Sequence, residues 1–78
     1  MSNLSLGERR VRIDFNVGGN SEVYTIKRKV AELINLLEEQ RTVDEKNPQY
    51  AGEKQRLISI AQTEIERACS DAVKAVTT

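Results

Sequence analysis

The sequence predicts an α+β chain, mostly α: one N-terminal β-strand followed by a long antiparallel α-helical hairpin, assembled as a homo-oligomer. Three observations carry this expectation. Polar and apolar residues alternate strictly from Arg10 to Val17, which is the period of a half-buried strand. Two later segments repeat apolar residues at spacings of three and four, the period of an amphipathic helix. Finally, the chain has 78 residues, of which 38% are hydrophobic. A chain this short buries only about 60% of its unfolded surface, so a partner is expected to complete the core.

Residues 1–9 show no period and read as a flexible arm. In Arg10-Val11-Arg12-Ile13-Asp14-Phe15-Asn16-Val17 the apolar set is β-branched or aromatic, which suits a strand over 10–17. One strand cannot satisfy its own backbone, and pairing with a second copy of the chain is the preferred solution. Gly18-Gly19-Asn20-Ser21 ends the strand, and Asn20 or Ser21 serves as N-cap for a helix over 20–41. Its stripe is Val23, Ile26, Val30, Leu33 and Leu37, widened by Ile34. The polar stretch Arg41 to Lys46 is a loop, and Asn47-Pro48 opens a second helix over 48–76. Leu57, Ala61, Ile65, Ala68, Ala72 and Ala75 or Val76 define its face, with Ile58, Cys69 and Val73 beside it. The alanines permit close helix approach. Two helices leave much of each stripe wet, so a four-helix core between two chains is expected.

The chain has no His and one Cys. It therefore lacks an imidazole base, a Ser-His-Asp or Cys-His couple, and a His-containing or all-cysteine zinc site. No cofactor or metal is expected. The lone Cys69 reads as a small core residue and suits a reducing cytoplasm. No apolar run reaches the length of a membrane span, and the first residues lack the apolar core of a signal peptide. The expectation is a soluble protein of the cytoplasm with no membrane partner.

Net charge is zero, with 12 basic and 12 acidic residues. Their distribution is uneven: residues 1–30 carry six basic and three acidic side chains, a balance of +3, and the remainder carries −3. That split points to a local anion site or to charge complementarity between subunits. A nucleic-acid polymer is not the expected partner. The carboxylates of Glu38-Glu39, Asp44-Glu45 and Glu64 with Glu66 do not face a common substrate, so the chain reads as a non-enzyme. Binding is better supplied. Gly18 and Gly19 lead into a helix N-terminus, whose free N–H groups favour phosphate. Arg9, Arg10 and Arg12 precede them, and Lys27, Arg28 and Lys29 follow. The spacing matches neither a Walker loop nor a dinucleotide fingerprint. Arg12 and Asn16, beside the glycine turn, are candidate contacts from spacing alone, while Tyr24 and Tyr50 suit a subunit interface or base stacking.

Phe15-Asn16, the Gly-Gly-Asn turn, and Ile26-Lys27 followed by Ala31-Glu32-Leu33-Ile34 form one distinctive set. Arg56, Ser59, Ala61, Thr63, Glu66, Ala68, then Ala72-Val73-Lys74-Ala75 and Thr77 form another. Together they resemble the helical-hairpin family of phage anti-defence sponges, which includes the anti-CBASS and anti-Thoeris cyclic-nucleotide sequestering proteins. The resemblance covers about residues 10–78. It departs from the family pattern at Ser70-Asp71, where Met-Trp is expected, and at Val17-Gly18, where many relatives have Pro-Ser. It implies a homo-oligomer, commonly a hexamer built from dimers, that binds cyclic oligonucleotides or cyclic ADP-ribose isomers without cleaving them in an infected host cell. It also implies Lys27 as the first phosphate contact and Arg56 as the second. Two other readings remain: a helical hairpin that docks on a partner protein, and a ribbon-helix-helix-like DNA-binding dimer with Arg10, Arg12, Asp14 and Asn16 in the groove.

Overall fold

The computed structural model describes residues 3–41 and 51–78. A short helix α1 (Leu6–Arg10) leads through turns and a 3₁₀ segment (Val17–Gly19) into α2 (Ser21–Glu39), and α3 (Ala51–Thr77) completes the chain. The Asn47-Pro48 cap, Tyr50, the Asp44-Glu45 pair and the loop from residue 42 onward lie outside the described residues.

The strand expected over residues 10–17 is not formed, and no strand occurs among the described residues. Arg10 closes α1, and residues 11–14 are turns. Their amides bond locally: Val11 to Gly7 O at 3.0 Å, Ile13 to Glu8 O at 3.0 Å, and Phe15 to Arg12 O at 2.9 Å. No second strand is needed to satisfy them. Arg12 sits in the left-handed region at φ 56°, and Val11 and Ile13 on either side of it are both buried. A tight turn thus reproduces the in-out alternation of a strand. The chain is all-α over its described residues, and the two-stranded ribbon of the DNA-binding alternative has no strand to be built from.

The arm expected over residues 1–9 includes all of α1 but its last residue, Arg10. Its N-cap is Ser5, whose hydroxyl accepts from Glu8 N at 3.2 Å while Glu8 Oε1 accepts from Ser5 N at 2.8 Å. This capping box satisfies two amides that a five-residue helix would otherwise leave to water. Arg28 ties the cap to α2 by donating to Glu8 Oε2 at 2.7 Å. Gly7 N also donates to Asn35 Oδ1 at 2.8 Å, drawing α1 against α2.

α2 and α3 form the hairpin. Its core is Val11, Ile13, Ala31, Ile34 and Cys69, packed by Leu4, Leu6, Ile26, Val30, Ile65 and Val73. The buried row of α2 is Val23, Lys27, Ala31 and Ile34, rotated from the expected stripe so that Leu33 is exposed. In α3 the buried residues are Ile58, Gln62 and Cys69, while Leu57 is half exposed. The rotation follows from α1 and its turn, which cover a face of α2 that a bare hairpin would leave to solvent.

The far end of the hairpin is clasped by polar groups. Arg41 donates through Nη2 to Ser59 Oγ and Gln62 Oε1, both at 2.8 Å, through Nη1 to Gln55 Oε1 at 2.9 Å, and through Nε to Glu38 at 2.8 Å. Gln62, 1% exposed, returns its amide to Ile34 O at 3.2 Å and Glu38 Oε1 at 3.1 Å. Its buried polar atoms are thereby satisfied.

Candidate anion-binding cleft

The turn after α1 lies against the C-terminal half of α3, and between them runs a cleft of about 290 Å³. Arg10, Arg12 and Lys27 line one side; Glu66, Cys69, Ser70, Val73 and Lys74 line the other. Beside it is a smaller hollow of about 180 Å³, formed by Phe15, Asn16, Val23, Lys27, Val73 and Thr77. Four basic side chains face one carboxylate in the larger cleft, an arrangement whose potential attracts anions. Arg10 is bonded to Glu66, and burial pushes the Cys69 thiol up. Neither Arg12 nor Lys74 is paired with a carboxylate among the described residues.

The expected contacts divide into those the fold gathers and one it does not. Arg12, Asn16 and Lys27 meet at this end of the molecule. Lys27 is only 7% exposed. Its ammonium donates to Arg12 O at 3.0 Å and to Phe15 O, and lies 5.7 Å from the Phe15 ring centroid. Asn16 donates its Nδ2 to Asn20 O at 2.8 Å. Gly18 and Gly19 take φ values of 83° and 65°, which only glycine adopts readily, and they make the turn into α2. Asn20 then caps α2 by accepting from Glu22 N at 2.8 Å and Val23 N at 3.0 Å, so two amides expected for phosphate are used within the chain. Arg56 stands apart. It is exposed, lies 3.8 Å from Glu53 one turn earlier, and precedes Cys69 by a helical rise of roughly 20 Å. Within one chain it cannot share a ligand with Lys27.

Ser70, Lys74 and Thr77 line these clefts and were not among the candidate contacts. Their spacing of four and three places them on one face of α3, a signal visible in the sequence once that face is known to meet the turn.

A second groove, about 470 Å³, lies at the clasped end among Leu37, Leu57, Ile58 and Ala61, with Glu53 and Lys54 at its rim. Leu33, Leu36 and Ile60 are also exposed. Among the described residues no helix is long and apolar enough to cross a membrane. Comparison of the chain with protein-family models, curated proteins and solved structures finds no match.

Proposed function

We propose that this chain is a self-associating sponge: it binds cyclic nucleotide messengers, either cyclic oligonucleotides or cyclic ADP-ribose isomers, and withholds them without cleaving them. The observation that carries this reading is the cationic cleft between the turn after α1 and α3, where Arg12 and Lys74 have no carboxylate partner among the described residues. A phosphate there accepts charge-assisted hydrogen bonds, and the adjoining hydroxyls of Ser70 and Thr77 suit ribose or base edges. The cleft is smaller than the usual small-molecule site of about 300–1,000 Å³. It receives part of a cyclic dinucleotide, and a second copy supplies the remainder. The exposed leucines and Ile60 support that association, in an even-numbered assembly up to the hexamer that the resemblance implies. A sponge without turnover acts by mass action, inside the cytoplasm of the infected host. Isothermal titration of the purified protein with cyclic di- and trinucleotides and cyclic ADP-ribose isomers tests the reading. It expects saturable binding with the ligand recovered intact, and binding of none of them would sink it.

A second reading has its own observation. The apolar groove of Leu37, Leu57, Ile58 and Ala61 suits a helix of a partner protein, and the hairpin would then be a docking module. Mass spectrometry separates the two, because a groove already filled by another copy leaves no monomer to dock.

A further inference from the structure

Arg12 holds a backbone conformation that side chains other than glycine rarely adopt, φ 56°. Such an outlier persists only when its surroundings over-determine it, and it gathers at ligand sites. Here the surroundings are Lys27. Its ammonium is buried and is spent on the carbonyls of Arg12 and Phe15, with the Phe15 ring on its flank at 5.7 Å. A residue committed to two backbone oxygens is a poor free phosphate contact. Arg12, by contrast, is exposed and borders both the cleft against α3 and a second hollow formed with Leu4, Arg9, Phe15 and the carboxylates Glu8 and Asp14.

We propose that Lys27 is a positioning residue: it pins the strained turn so that the Arg12 guanidinium, together with Lys74, is presented to the anion. This deepens the reading of the cleft as an anion site and rests on it. The strain is then retained for binding, since glycine at position 12 would relieve it and remove the contact.

The test is a nuclear magnetic resonance titration of the full chain with inorganic pyrophosphate, following side-chain nitrogens. In the free protein the Lys27 ammonium should exchange slowly and couple through hydrogen bonds to the carbonyl carbons of Arg12 and Phe15. On titration the Arg12 and Lys74 nitrogens should shift while Lys27 stays. Arg12→Gly should melt no lower than the parent yet bind at least tenfold more weakly. Lys27→Met should melt lower and bind more weakly, and Lys27→Arg should recover part of both. A Lys27 signal that moves with pyrophosphate as far as that of Arg12, or an Arg12→Gly chain that binds normally, would overturn the proposal, as would pyrophosphate shifting none of the three. Failure of the sponge reading is separate: pyrophosphate would behave as expected while every cyclic nucleotide is refused.

Discussion

At Gly7 the backbone of α1 comes so close to α2 that a Cβ would lie 2.1 Å from Ala31 O. Gly7→Ala must therefore push the helices apart. It should cost about 1–3 kcal/mol, the usual range for overpacking, and denaturant melts will read the loss. One residue on, the Arg28 guanidinium bonded to Glu8 holds that carboxyl at about 2, against 4.5 ordinarily, with the Ser5 amide and hydroxyl adding to the effect. A lowered value in the folded state stabilises fully above the unfolded value, and that stabilisation is lost as pH falls from about 4.5 toward 2. Melting temperature should decline across that window, and less so in Glu8→Gln, which removes the titrating group. Arg41 likewise keeps the Glu38 carboxyl below its usual range, with Gln62 assisting. At this scale the sequence was legible in part. Ser5-Leu6-Gly7-Glu8 has the serine-to-glutamate spacing of a capping box, a signal for α1 that the alternation starting at Arg10 overshadowed. The role of Lys27 was not legible, because nothing local to it shows which carbonyls a turn 12–15 residues away will offer.

Among the elements, α2 and α3 carried a clear helical period, and that period placed the hairpin. It did not place the buried face. Each helix has apolar residues around more than one side, and which side is covered depends on α1, which is held by its capping box, the Gly7 approach to α2, the Arg28–Glu8 pair and the packing of Leu6. The strand was misread for a related reason. A period of two says that neighbours point oppositely, and a left-handed Arg12 between Val11 and Ile13 achieves this in a turn without any ladder. The clasp between α2 and α3 gives the prediction at this scale. Gln62→Leu keeps approximate volume but removes the side-chain donor to Ile34 O and leaves Arg41 one acceptor short. Each lost hydrogen bond is worth about 0.5–1.5 kcal/mol, so the urea midpoint should fall while the slope, which reports surface exposed, is unchanged.

The described residues extend 14 Å along their shortest axis, too thin to bury apolar residues on both sides. Leu33, Leu36, Leu57 and Ile60 stay exposed as a result. Covering them with a second copy is the simplest relief, at about 25 cal/mol for each Å² removed from water. Leu57→Asp should shift sedimentation toward the monomer with little loss of helical signal, because the side chain is half exposed in the single chain. Arg10, Arg12 and Lys27, half of the basic residues of the first 30 positions, lie beside Lys74 and Thr77 from the last turns of α3. That meeting could not be read from charge counts, since Lys27 and Lys74 are 47 positions apart and Arg12 and Lys74 are 62 apart. The distance from Arg56 to this cleft matters here too: any ligand touching both Arg56 and Lys74 must be held by different chains.

Native mass spectrometry of the full chain, with and without the panel of cyclic di- and trinucleotides and cyclic ADP-ribose isomers, tests the central claim most directly. The account predicts an even-numbered oligomer that retains one of these ligands at its unaltered mass. A monomer, or an oligomer that passes the whole panel unbound, would contradict it.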